Sequence, residues 1–212
     1  MMDLTPELLL TAYASGVFPM AEHRDDPEVF WVDPKRRGVF LPGGFHLSRS
    51  LARQLRRGGF RVSLDDDFAA VVSACADRSE TWINDTIFEL YMALHDGGRA
   101  HSLEVRDDAD RLIGGVYGVA LGAAFFGESM FSRAADGSKI ALAFLTTHLD
   151  ACGFTLFDTQ FLTPHLASLG ALEIPRGRYR SLLAEALEEE ASIHAKALPS
   201  TDQVLQRRTQ KS

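Results

Sequence analysis

Between residues 100 and 131 the chain holds three apolar runs in close succession: AHSLEVR (100–106), RLIGGVYGVA (111–120) and GAAFFGESMF (122–131). They are joined by short turns rich in Asp and Gly. Runs of this length and composition form strands, and links this short allow only antiparallel pairing. An antiparallel meander must bury at least one face, so the rest of the chain has to cover it. The flanking segments read as that cover. Helices are expected over 5–15, with Thr5 as cap and Pro6 in the first turn, and over 47–57, 67–76, 84–96, 137–151, 164–169 and 178–195. Further strands are expected over 60–64 and 154–161, and FPMAEHRDDPEVFWVDP reads as a turn-rich stretch. This order of elements predicts an α+β domain.

A chain of 212 residues that is 46% hydrophobic can enclose a substantial core. No run approaches the ~18 apolar residues that span a bilayer, and the first residues lack the pattern of a secretory leader, so no membrane contact and a cytoplasmic location are expected. Cys75 and Cys152 stand far apart without a CxxC spacing or a neighbouring ligand set. They read as reduced, partly buried thiols, and no metal is expected.

Charge is segregated along the chain. The net value is −7, yet residues 34–64 contain Lys35, Arg36, Arg37, Arg49, Arg53, Arg56, Arg57 and Arg61 and no acidic residue, whereas the remainder carries 14 basic residues against all 29 acidic ones. On a helix over 47–57, Arg49, Arg53, Arg56 and Arg57 fall at i, i+4, i+7 and i+8 and share one face, while Leu47, Leu51 and Leu55 form another. A solvated surface helix ordinarily mixes in acidic i,i+4 partners. This one has none, which favours a polyanion such as a nucleic acid backbone over an idle charged face.

Two further constellations carry chemistry. Glu128 lies in the apolar run FFGESMF beside Gly127, which leaves room for a ligand or another backbone. A lone buried carboxylate is costly, so Glu128 either pairs with a cation such as Arg133 or faces a pocket that receives one. In FTLFDTQFLTPH, Asp158 and Gln160 are two apart and share a strand face, with Phe157, Thr159 and Phe161 on the other. They are either a structural polar pair or a carboxylate that orients an amide toward reactants.

The stretches FPM, FHLSRSLAR, TWI (81–83), HSLEV (101–105), GGVYGVALG (114–122), GESMFSR (127–133), FDTQFLTPHLASLGA (157–171) and the following EIPR together resemble the leucyl/phenylalanyl-tRNA–protein transferase family, in order from about residue 8 to 180. The resemblance implies an acyl-CoA N-acyltransferase (GNAT-like) fold. A small, reduced N-terminal domain over 1–36, the aminoacyltransferase domain over 37–195 and a mobile tail over 196–212 are expected. It implies a pocket for the esterified amino acid lined by Val116, Phe125, Met130, Leu145, Leu149 and Phe157. Arg49, Arg53, Arg56 and Arg57 would grip the tRNA acceptor stem, and Trp82 would stack on a terminal base. Asp158 and Gln160 match the family's catalytic pair, and Glu128 its acidic site residue.

The implied activity moves Leu, Phe and less readily Met from aminoacyl-tRNA to the N-terminal α-amine of proteins beginning with Arg or Lys, marking them for N-degron proteolysis. The ester is already activated, so no cofactor is expected, and a monomer is expected. In that scheme Asp158 fixes Gln160, Gln160 bonds the attacking amine or the tetrahedral centre, and Glu128 helps hold the cationic acceptor. The proton leaves through water or the 2′-hydroxyl of the tRNA. The chain departs from longer relatives in its shorter N-terminal part, in Met20 where some have Trp, and in Val116 where some have Met. A CoA-dependent acyltransferase is disfavoured because SMFSRAADGSKIA lacks a Gly-rich pyrophosphate turn. A non-catalytic RNA-binding module would leave Asp158 and Gln160 idle.

Overall fold

A computed structural model describes residues 4–24, 26, 28–79 and 81–206. Helix α1 (Pro6–Ala14) starts on Thr5, whose hydroxyl accepts from the Leu8 amide at 3.2 Å. Strands β1 (Phe18–Met20) and β2 (Phe30–Val32) pair antiparallel, with Phe18 opposite Val32, where a turn-rich stretch is expected from the prolines. Then follow β3 (Arg36–Phe40), α2 (Arg49–Arg57), β4 (Phe60–Leu64), α3 (Phe68–Ala76) and α4 (Asp85–Asp96). Ser48, Asp67 and Asn84 cap the three helices by accepting an amide hydrogen bond from the residue three positions on.

The meander is present as β5 (Ala100–Asp107), β6 (Leu112–Leu121) and β7 (Ala124–Ser132). It continues through α5 (Gly137–Ala151), β8 (Leu156–Gln160), α6 (Pro164–Ser168), β9 (Leu172–Pro175), α7 (Arg176–Leu187) and α8 (Thr201–Gln206). Seven strands form one sheet in the order β4-β5-β6-β7-β8-β3-β9. Among the described residues only β7 and β8 run parallel, because α5 carries the chain back over the sheet between them.

Helices cover both faces. Residues of α1, α3, α4 and α7 pack with Tyr117, Val119, Phe126 and Phe131, while α2, α5, α6 and α8 pack with Val105, Val116, Phe125 and Phe157. The protein is therefore an α+β chain with its sheet buried between two helical layers. No helix among the described residues is long and apolar enough to cross a membrane. Cys75 and Cys152 are free and buried.

Several expectations are corrected. β3 and β9 were hidden, the first because PKRR opens it and the second because LEIP is a short edge strand with little alternation. The last long helix runs over Arg176–Leu187 rather than 178–195. Three consecutive glutamates, 188–190, stand where the helix dipole is negative and disfavour continuation. Within the tail from 196, Thr201–Gln206 is helical, with Val204 buried among residues of α2 and α5. Residues 207–212 lie outside the described part.

Candidate active site

The parallel ladder between β7 and β8 is short. It joins Ala124 to Leu156, Phe125 to Phe157 and Phe126 to Asp158, and then ends. Beyond it the two strands part, and irregularities on both sides shape the opening. In β7, Tyr117 faces Ser129 and Gly118 faces Gly127, leaving Glu128 as the extra residue of a bulge. In β8, Gly38 faces Gln160 and Val39 faces Asp158, leaving Thr159 as the extra one. Bulges re-aim side chains, and here they bring Glu128 and Gln160 together across the gap.

Glu128 is buried. Its carboxyl accepts from Tyr13 Oη and Tyr91 Oη at 2.7 Å each and from Gln160 Nε2 at 3.0 Å, while the two phenol oxygens are also 2.7 Å apart. Three short oxygen contacts share only two phenol protons when Glu128 is ionised. A third proton, on the carboxyl, satisfies all three. Burial, helped by the nearby negative charge of Asp158, raises the Glu128 pKa to about 7 against the opposing pull of these hydrogen bonds. The alternative partner Arg133 lies instead 3.7 Å from Asp77. Both tyrosines are pushed well above their ordinary value, first by burial and then by the charge of Glu128, so they act only as neutral donors and acceptors.

Asp158 is enclosed differently. It accepts from Arg37 Nε at 2.9 Å, Arg37 Nη2 at 2.6 Å, Tyr179 Oη at 2.7 Å and the Gln160 amide at 2.8 Å. Arg37 is 1% exposed, donates also to the Gly16 carbonyl, and lies between the rings of Phe18 and Tyr179. With its lone pairs occupied by four donors, Asp158 has none left to offer a reactant. What it does is hold the backbone of Gln160, whose φ of +62° is left-handed and strained for a residue with a side chain. That conformation aims the amide at Glu128 and ends the strand alternation. Phe157 and Thr159, expected on one strand face, both line the cleft, but Phe161 does not follow them and packs edge-on against Phe18.

The cleft in the strand gap is lined by Val116, Met130, Leu142, Phe157, Thr159 and Leu166, with Gly127, Glu128 and Ser129 completing it. It holds about 350 Å³ of empty space, open mouth included. Thr159 Oγ1 is buried without a partner among the described residues. Gly127 is required by packing: a Cβ there would come within 2.6 Å of the Phe157 ring. Of the six expected pocket residues, Val116, Met130 and Phe157 line this cleft. Phe125 stands behind it, edge-on to Phe157 at 5.4 Å. Leu145 and Leu149 are buried elsewhere along α5, Leu149 beside a narrower cleft with Phe40 and Phe154. Leu142 and Leu166 take their places. The spacing of Leu142 one turn before Leu145 would have allowed either.

On α2, Leu51 and Leu55 are buried, while Arg49, Arg53, Arg56 and Arg57 are exposed and make no ion pair among the described residues. The charge count of 34–64 overstated the free positive charge. Arg37 is spent on Asp158, Arg36 on Glu173, and Arg61 on Asp110 and Asp66. Trp82 is half-buried in the loop between α3 and α4. The sequence reading missed Arg37, Tyr13, Tyr91 and Tyr179. Tyr13 sits four residues from Leu9 on the buried face of α1, and a phenol on such a face signals a partner in the core. Away from the site, the ligand atoms of Asp65, His101 and His194 lie within 4.8 Å of one another, with His101 Nδ1 2.8 Å from Asp65.

The chain resembles a solved structure of FemX in fold, with a TM-score of 0.53 over 80% of this chain and 66% of that one at 12% identity. A leucyl/phenylalanyl-tRNA–protein transferase of Ruegeria pomeroyi is 64% identical over the full length of both chains, and one of Cereibacter sphaeroides is 68% identical over 90% of this chain and 88% of that one. Residues 39–184 match the family model of the leucyl/phenylalanyl-tRNA protein transferases, and residues 2–35 match the model of their N-terminal domain. A strand gap that ends an apolar cleft on Glu128, itself bonded by Gln160, and relatives alike from end to end, lead to one assignment: the chain belongs to the leucyl/phenylalanyl-tRNA–protein transferase family.

Proposed function

We propose that this transferase moves Leu and Phe, and less readily Met, from aminoacyl-tRNA to the N-terminal α-amine of proteins beginning with Arg or Lys, marking them for N-degron proteolysis. It would work as a cytoplasmic monomer on a GNAT-like fold. The reading rests on the cleft, whose apolar walls end on Glu128, the carboxyl that Gln160 bonds. An apolar side chain fits such walls, whereas a polar one would lose its hydrogen bonds to water. The acidic remainder of the chain favours a cationic N-terminus as acceptor, and the α2 arginines with Trp82 favour the tRNA.

Chemically, the α-amine attacks the ester carbonyl, a tetrahedral centre forms, and the terminal ribose oxygen leaves. Gln160 donates a hydrogen bond through Nε2 to Glu128, which leaves Oε1 to accept one from the attacking amine. The amine must shed a proton and the ribose oxygen must gain one. Glu128, with a pKa of about 7 and a place in the cleft wall, is suited to take up that proton and return it. Asp158 positions Gln160 through its backbone. The test is incubation with Leu-, Phe-, Met- or Ile-charged tRNA, or with an acyl-CoA, and a model protein beginning with Arg, followed by mass analysis of its N-terminus. Addition from Leu- and Phe-tRNA alone or with some Met is expected; no addition from Leu-tRNA would overturn the proposal.

A further inference from the structure

Past Met130 the amino-acid cleft adjoins a second, wider one, lined by Asp77, Arg78, Phe131, Ser132, Arg133 and Ser138. Its chemistry is different. Arg78 donates through Nη2 to Ser129 Oγ at 3.2 Å and to the Met130 carbonyl at 2.9 Å, which fixes its guanidinium at the boundary between the two clefts. Arg133 lies over the Phe131 ring and only loosely pairs with Asp77, at 3.7 Å with both side chains more than half exposed. Two guanidinium groups thus border an open cleft with one nearby carboxylate. Neither has a part in the reaction as described so far.

The position of the cleft limits what would fill it. An amino acid seated between Val116 and Phe157 presents its ester at the polar end, near Glu128 and Ser129, and the terminal ribose must continue from there. The first anionic group along that path is the phosphodiester on the 5′ side of the terminal nucleoside. Building on the transferase reading, we propose that Arg78 and Arg133 bind this phosphodiester and so set the distance between the tRNA end and Gln160. Guanidinium groups suit a phosphate because their forked donors meet two of its oxygens. The loop between α3 and α4 carries both Arg78 and Trp82, so one loop would hold the phosphate and offer a ring to the base of the same nucleotide. This contact is separate from the α2 face, whose arginines would meet phosphates farther up the acceptor stem.

Two small donors test the assignment: leucine esterified to adenosine, which carries no phosphate, and leucine esterified to the dinucleotide CpA, which carries one phosphodiester. Both are offered with a model protein beginning with Arg to the wild type, Arg133→Ala and Arg133→Lys. The wild type should prefer the dinucleotide ester in kcat/KM. Arg133→Ala should reduce that preference about tenfold, the loss of a hydrogen bond to a charged group, through KM rather than kcat. Arg133→Lys should recover part of it. An unchanged preference in Arg133→Ala, whether both donors weaken together or neither does, would overturn the phosphate assignment alone. Failure of the wild type with both esters and with charged tRNA would overturn the transferase reading and this assignment with it.

Discussion

Glu128→Gln should remove a pH dependence of stability that the wild type carries. Burial raises the carboxyl from the ordinary 4.5 to about 7, with Asp158 adding to the effect and the bonds from Tyr13, Tyr91 and Gln160 opposing it. In the unfolded chain the group returns to its ordinary value. The folded state therefore holds the proton more tightly, and the associated stability is fully present below pH 4.5 and is lost as pH rises through about 7. The difference corresponds to about 3 kcal/mol, a sizeable part of the ~5–15 kcal/mol that holds a domain together. Glutamine keeps the neutral shape and cannot ionise. Urea unfolding of both proteins at pH 4.5, 6, 7 and 8 isolates the effect, because other titrating groups cancel in the difference. The stability of the variant relative to wild type should rise by about 3 kcal/mol from pH 4.5 to 8. A gap that stays constant, or moves the other way, would refute the shared-proton account of the Glu128 cluster.

Arg37→Met leaves Asp158 buried beside Tyr179 without its cation, and should cost about 3–5 kcal/mol in urea unfolding; a loss under 1 kcal/mol would mean that Asp158 is not held as described. Gln160→Ala should lower turnover while leaving tRNA affinity nearly unchanged, and a fall in affinity would make Gln160 a binding residue. Reversing Arg49 and Arg53 to Glu should weaken tRNA binding without lowering the unfolding midpoint. Wild-type affinity should fall with salt at a log–log slope of about −3 if the four α2 arginines meet phosphates, and a flat dependence would contradict the basic-face argument.

The scaffold was legible where local rules act alone. Ser48, Asp67 and Asn84 announce their helices, and the meander shows in its turn chemistry, because caps and turns are decided within a few residues. The spacing of Asp158 and Gln160 was legible for the same reason. What they touch was not. Arg37 lies 121 positions from Asp158, inside a basic run where it looked like one more surface charge, and nothing local distinguishes a buried arginine from its exposed neighbours. A bulge is equally silent, since one extra residue shifts the face of everything after it without changing composition.

These failures are not scattered. Gln160 is left-handed without being glycine, Glu128 is a buried carboxylate in a bulge, and Arg37 is a guanidinium with almost no access to water. Each breaks the rule that holds for its type elsewhere, and the first two are repaired by side chains delivered from α1, α4 and the neighbouring strand β3. The repair couples them. Arg37 fixes Asp158, Asp158 fixes the Gln160 backbone, and Gln160 meets Glu128, so a change at β3 reaches the cleft wall through three hydrogen-bonded steps. A sequence can disclose the members of such a chain one at a time, but the order in which they hold one another exists only once the sheet has closed.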